Sequence, residues 1–144
     1  MNADNSGQEF LNNETDKLRK VLVIFDSKND KDVYQPIVND LKKKKINHIL
    51  RICSAHSTPG LLAEILKQDA EHDYTCIIAG AGLAAHLPGI IASKIVKPVI
   101  GVPVHSNYSG LDAFLSISQM PPGIPVLGVG VNGFVQATKA AEQM

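Results

Sequence analysis

The clearest signal in the sequence is an alternation of hydrophobic period. Val21-Leu-Val-Ile-Phe25 is an unbroken apolar run, the pattern of a strand buried on both faces. From Lys31 to Lys45 the apolar positions fall three and four apart, at Val33, Ile37, Val38 and Leu41. That spacing predicts an amphipathic helix with Asp30 as its N-cap. Pro36 is expected in its first two turns, where little hydrogen bonding is lost. Ile46 to Cys53 then reads as a second strand, and Thr58-Pro59 opens a helix whose stripe is Leu61, Leu62, Ile65 and Leu66. The remaining strands are expected at Tyr74 to Ala79, Pro98 to Val102 and Val126 to Val131. Helices are expected at His86 to Ile95, Gly110 to Gln119 and Phe134 to Met144.

Strands and helices alternating at this spacing imply right-handed βαβ units. The expected fold class is α/β, a five-stranded parallel sheet covered on both faces. Residues 1–18 are polar and aperiodic and read as a disordered tail, leaving 19–144 as a single domain.

Composition narrows the function. A chain of 144 residues with 44% apolar and 19% charged residues suits one globular core. Fourteen basic residues balance fourteen acidic ones, so no global field favours nucleic acid or an acidic membrane. The stretch from Cys76 to Val104 is apolar but broken by His86, Pro88, Lys94, Lys97, Pro98 and Pro103, so it does not read as a membrane span. The N-terminus lacks the basic start and apolar stretch of a secretion signal. Cys53 and Cys76 lie inside apolar runs, in neither a disulfide framework nor a metal-ligand spacing. Both are expected as reduced core residues of a cytoplasmic protein, and no metal is expected.

A parallel sheet binds ligands at the carboxyl ends of its strands, near the point where strand order reverses. That rule selects the loops at 26–30, 54–57 and 80–86, and the stretch after Val104. His56, just past a strand end among small residues, suits proton exchange with a ligand or capping of local backbone. His86, before an apolar helix, reads on pattern as a loop anchor through a ring hydrogen bond. His105 follows a strand at the same end of the sheet, whereas His48 and His72 look like ordinary positions. Gly80-Ala-Gly82 with Ala84-Ala85 allows close backbone approach to a planar or anionic ligand, but lacks the dinucleotide fingerprint, so no cofactor is expected. Lys42 to Lys45 is read as a solvated helix end.

Three stretches carry a resemblance: Ser54-Ala-His-Ser-Thr-Pro59, Ala79-Gly-Ala-Gly-Leu-Ala-Ala-His-Leu-Pro-Gly89, and Gly110-Leu-Asp-Ala-Phe-Leu-Ser-Ile-Ser-Gln-Met-Pro-Pro-Gly-Ile-Pro-Val126. With them the chain resembles the purine-biosynthesis family of N5-carboxyaminoimidazole ribonucleotide mutase and aminoimidazole ribonucleotide carboxylase, and the second stretch is nearer the mutase branch. The resemblance implies a flavodoxin-like three-layer sandwich, assembled as a homo-octamer with shared sites. It also implies a small nucleotide substrate whose carboxylate moves from a ring-substituent nitrogen to a ring carbon, without metal or ATP. On it, His56 carries the proton. Ser54 and the backbone of Ala79 to Ala85 (Ala79, Gly80, Gly82, Ala84 and Ala85) hold the carboxylate or carbon dioxide. Ser27 and Asp30 contact the ribose phosphate, and Ala55, Ser57, His86 and Leu87 complete the expected substrate site.

The departures from the family cluster at the phosphate. Its first loop usually reads Gly-Ser-x-Ser-Asp, where this chain has Asp26-Ser27-Lys28-Asn29-Asp30. Its arginine after the catalytic histidine is Ser57 here, and its double glycine is Gly82-Leu83. A lost arginine fork removes charge-assisted bonds worth about 1.5–3 kcal/mol. A carboxylate roughly 5 Å from a phosphate costs on the order of 3 kcal/mol at an effective dielectric near 20. Unless Lys28, Arg51 or a neighbouring subunit compensates, the sum is about three orders of magnitude in affinity. Three readings stay open: a mutase with an altered phosphate site, a diverged carboxylase or decarboxylase on a less anionic ligand, and a non-catalytic homologue.

Overall fold

The computed structural model describes residues 19–69 and 72–144. Five strands form one parallel sheet: β1 (Lys20–Phe25), β2 (Asn47–Ile52), β3 (Cys76–Ala81), β4 (Val99–Pro103) and β5 (Leu127–Gly128). The spatial order is β2-β1-β3-β4-β5, the flavodoxin-like order whose reversal lies between β1 and β3. Helices α1 (Lys31–Lys43), α2 (Pro59–Asp69), α3 (His86–Lys94), α4 (Leu111–Ser118) and α5 (Phe134–Gln143) connect and cover it.

Alternation along β1 explains the two faces. Val21, Val23 and Phe25 enter one core with Val33, Ile37 and Leu41 of α1 and Ala137 and Ala141 of α5. Leu22 and Ile24 enter the other, against Leu62, Ile65 and Leu66 of α2, Leu87 and Ile91 of α3 and Ile117 of α4. Every side chain from Val21 to Phe25 is fully buried, as an uninterrupted apolar run in a central strand requires.

The element types expected from periodicity are all present, with three shifts. A short 3₁₀ turn, Lys28–Asp30, precedes α1 and uses Ser27 as its cap. The third strand runs two residues later than expected, because Tyr74 and Thr75 lead into it and Val21 pairs with Cys76. The fifth strand shrinks to two residues, since only Ile100–Leu127 and Gly101–Gly128 pair before the chain turns at Val131 and Asn132. Pro36 is accommodated in the second turn of α1. Cys53 and Cys76 are buried and free, and burial pushes the Cys76 thiol up to about 11. Among the described residues no helix is long and apolar enough to cross a membrane. The tail expected over residues 1–18 lies outside the described residues.

Candidate functional site

Three loops leave the carboxyl ends of β1, β2 and β3 side by side, and hydrogen bonds tie them together. At the end of β1, the Asp26 amide donates to the Gly80 carbonyl of β3 (3.1 Å). Its carboxylate oxygen Oδ1 accepts the Ala55 amide of the second loop (2.9 Å). Ser27 then turns the chain, its Oγ accepting the Asn29 amide at 3.1 Å. Asp30, half-buried at the start of α1, has its carboxyl pushed above the ordinary range by burial first and by Asp26 second, against a backbone hydrogen bond at Ser27.

The second loop is fastened at Ser54. Its Oγ accepts the amides of His56 (3.3 Å) and Ser57 (3.2 Å), while its carbonyl receives the Thr58 amide and hydroxyl. With both lone pairs of Oγ engaged, the hydroxyl proton is what Ser54 has left to offer a ligand. His56 therefore stands between two fixed points, Ser54 behind it and the Asp26–Ala55 bond beside it.

The third loop is a tight turn, closed by the Ala85 amide on the Gly82 carbonyl at 2.9 Å. Leu83 (φ 55°) and Ala85 (φ 45°) both adopt the left-handed region, which L-residues enter at a cost of about 1–2 kcal/mol. Ser116 of α4 donates its hydroxyl to the Ala84 carbonyl and braces the turn from outside. The turn delivers His86 as the first residue of α3.

Here the two site histidines meet. His56 Nε2 lies 2.7 Å from His86 Nδ1, with ring centroids 4.8 Å apart and planes inclined at 50°. A contact of that length between ring nitrogens needs one donor and one acceptor, so the facing atoms hold a single proton between them. The loop-anchor reading of His86 thus has a ring as its partner. Behind His86 a cavity of about 320 Å³ opens between α3 and α4, lined by Ala85, Gly89, Ile90, Ser116 and Met120.

Several sequence expectations are corrected by this geometry. Gly80 and Ala81 lie inside β3 rather than in the loop after it, and both are buried, as is Ala79. Gly80 is small because the Phe25 ring lies across it: a Cβ there would fall 2.1 Å from a ring carbon. Gly82 differs, since an added Cβ would meet only Val104 at ordinary contact distances of 3.5–3.7 Å. Nothing among the described residues demands a glycine at 82. Leu87 turns its side chain into the core, and Ala55 and Ala85 are also buried, so these three can face a ligand only through their backbone.

The charges are also placed differently. Asp26 is a clamp between loops, not a free anion, and this role went unread in the sequence. Arg51 reaches toward Asp69 at 3.9 Å, at the end of α2 remote from the loops. Lys28 is exposed beside Ser27 in the first loop. His105 is exposed after β4, its amide held by Asn132 Oδ1 at 2.9 Å. His48 bonds the Ile46 carbonyl just before β2, and His72 lies at the other end of the sheet. Among the described residues no group of three or more His, Cys, Asp and Glu side chains is arranged to hold a metal ion.

Known proteins share the fold and much of the sequence. PurE of Treponema denticola superposes with a TM-score of 0.73 at 23% identity, over 87% of this chain and 90% of that one. In sequence, N5-carboxyaminoimidazole ribonucleotide mutase of Methanocaldococcus jannaschii is 47% identical over 112 residues, 78% of this chain and 69% of that protein. The mutase of Escherichia coli K12 is 42% identical over 128 residues, 87% of this chain and 76% of that protein. The family model described as AIR carboxylase matches residues 20–144, from the first residue of β1 through all three loops. The chain belongs to the AIR carboxylase family.

Proposed function

We propose that this chain is an N5-carboxyaminoimidazole ribonucleotide mutase of purine biosynthesis, with His56 as its proton carrier. The observation that carries the reading is the 2.7 Å contact of His56 with His86 where the three loops converge. In the proposed cycle His56 gives a proton to the exocyclic nitrogen as the bond from that nitrogen to the carboxylate carbon breaks. Carbon dioxide and aminoimidazole ribonucleotide result. The ring carbon then attacks carbon dioxide, and the proton displaced from that carbon returns to His56. The sum is an isomerisation that needs no co-reactant. His86 holds the His56 ring in place and couples the two tautomers, since whichever of the facing nitrogens carries the proton must donate to the other.

Carboxylate binding is assigned to the Ser54 hydroxyl and the backbone of Gly82 to Ala85, and ribose phosphate binding to Ser27, Asp30 and Ser57. Carbon dioxide must be held until recapture, which requires a closed, dry pocket. In one copy of the chain His56, Ser57, Ala84 and His86 are all exposed. Leu111, Phe114 and Leu115 of α4, with Leu127, Val131 and Val135 nearby in sequence, also leave apolar surface in water. Both features support a homo-oligomer, an octamer on the family resemblance, whose neighbouring copies close the pocket. A balanced charge and buried free cysteines support a cytoplasmic setting.

The test is calorimetric titration with carboxyaminoimidazole ribonucleotide at low and moderate salt, followed by a mutase assay of the wild type and of His56→Asn. Micromolar binding with turnover that His56→Asn abolishes is the expected result. Wild-type turnover in the variant would remove His56 from the mechanism. A second reading, a related carboxylation or decarboxylation on a less anionic ligand, is favoured by Arg51 reaching toward Asp69 and by Ser57 in place of an arginine. No binding at millimolar substrate would select it.

A further inference from the structure

At the amino-terminal edge of the sheet, remote from the loops, lies a cavity of about 280 Å³. The length of the strands between the two ends separates it from His56 by roughly 15–20 Å. Leu22, Leu66, Ile77 and Ile95 give it aliphatic walls. Two polar side chains in that lining are almost fully buried, Asp69 (4% exposed) and Tyr74 (3%). Among the described residues neither Asp69 Oδ2 nor the Tyr74 hydroxyl has a partner at full hydrogen-bonding geometry, although the two groups lie near enough for the carboxylate to act on the phenol.

Orphaned polar atoms in an apolar cavity are costly, and a buried carboxylate oxygen is the costliest kind. The protein nevertheless holds both groups firmly. The Tyr74 ring is fixed by Lys20, whose ammonium lies 5.3 Å from the ring centroid, and by the edge of His72 at 5.9 Å. Lys20 in turn donates to His72 Nδ1 at 3.0 Å. Arg51 approaches only the other oxygen of Asp69, at 3.9 Å. Burial first, then the Asp69 charge and its weak hydrogen-bonding approach, push the Tyr74 phenol up to about 12 against the Arg51 charge, so it is a donor at neutral pH.

We propose that this cavity binds a small planar heterocycle that presents an N–H to Asp69 Oδ2 and a neighbouring acceptor to the Tyr74 hydroxyl. A donor beside an acceptor on one edge of a flat ring is the pattern of amino-purines, amino-pyrimidines and lactams. The aliphatic walls suit the ring faces, in the usual manner of a pocket with few polar groups. An anionic substituent on the ring would meet Lys94, which lines the rim without an ion pair among the described residues. Lys97 beside it is already paired with Asp73 at 2.7 Å. The exposed Val96 on the same rim offers further apolar contact.

Adenine is a suitable probe, since its amino group and ring N1 supply the pair, and indole, with an N–H but no neighbouring acceptor, is the control. Titration of the whole chain should show saturable adenine binding, with Kd on the order of 100 μM, and at least tenfold weaker indole binding. Tyr74→Phe should weaken adenine tenfold or more without a Tm loss of several degrees, because the hydroxyl it removes makes no fully formed hydrogen bond among the described residues. His56→Asn should leave adenine binding unchanged, so this result does not depend on the mutase reading. Adenosine monophosphate should bind more tightly than adenine, and Lys94→Gln should erase that gain. The proposal fails if adenine does not saturate, if Tyr74→Phe binds it equally, or if His56→Asn abolishes binding. It fails also if Tyr74→Phe lowers Tm by several degrees, since the hydroxyl would then be bonded within the protein.

Discussion

His56 Nε2 and His86 Nδ1 stand 2.7 Å apart although the two residues lie in different loops, after β2 and after β3. Each loop is braced separately, by Ser54 and Asp26 on one side and by Ser116 on the other. The contact therefore joins two rigid bodies rather than two mobile tips. A partner that orients a catalytic ring is worth 10–100-fold in comparable settings, roughly 1.4–2.7 kcal/mol. His86→Ala is expected to lower mutase kcat by about that factor with KM changed less than threefold. Steady-state kinetics decides it, and an unchanged kcat would reduce the pair to packing.

Ser57 tests the phosphate argument. Ser57→Arg restores the cation that the family resemblance leads one to expect, without disturbing the Ser54 and Asp26 bonds. It should tighten binding of phosphate-bearing substrate by about tenfold or more, the worth of a charge-assisted pair. Calorimetry at two salt concentrations reads the gain, which should shrink as salt rises. No gain at either salt would place the phosphate elsewhere.

Asp26 should behave differently from a misplaced charge. Its carboxylate holds the Ala55 amide, and a hydrogen bond to a charged group contributes about 1.5–3 kcal/mol. Asp26→Gly is thus expected to lower stability by roughly that amount and to raise the mobility of the His56 loop. Urea unfolding with amide exchange at Ala55 is the measurement. Retained protection of that amide would show the clamp is unnecessary.

Gly80 near the end of β3 and Gly82 in the loop after it make opposite predictions. Gly80→Ala drives a methyl into the Phe25 ring and should cost about 1–3 kcal/mol, as overpacking of a dense core does. Gly82→Ala should leave stability within about 0.5 kcal/mol, because the methyl makes only ordinary contact with Val104, and should lower kcat/KM instead if the proposed carboxylate lies against this backbone. Thermal unfolding beside kinetics separates them. Equal stability losses would mean that both are structural.

Asp30 carries a pH dependence. Its folded-state pKa is raised, so its contribution to stability is present below the ordinary aspartate value and lost as pH rises through the folded one. Asp30→Asn should accordingly be more stable than wild type near neutral pH, and the difference should vanish by about pH 3. Urea midpoints at the two pH values check the sign, and a variant less stable at neutral pH would reverse it.

The fold was legible because the local signals agree with one another. The run at Val21 to Phe25, the helical spacing of Val33, Ile37 and Leu41, and Thr58-Pro59 each specify their element within a few residues. The loops proposed to bear the site were selected by strand polarity alone. The clamps were not. Asp26 and Ala55 are 29 positions apart, and Ser116 and Ala84 are 32 apart, so which amide or carbonyl each side chain reaches is settled only by tertiary packing. Gly80 misled for the same reason, since its partner is a ring on the neighbouring strand.

The central position of β1 has a consequence for synthesis. Its residues seed both cores, yet they pair with β3, which begins 55 positions later at Cys76. At ribosomal speeds of about 5–20 residues per second, Val-Leu-Val-Ile-Phe waits roughly 3–11 s before that partner exists. An uncharged, β-prone segment of this kind is an aggregation hazard while it waits. Lys20 at one end and Asp26 at the other bracket it with charge, the placement that discourages intermolecular strand pairing. The residue that clamps the finished loops is therefore also a gatekeeper of the nascent chain, and replacing it risks insoluble protein before any enzyme can be assayed.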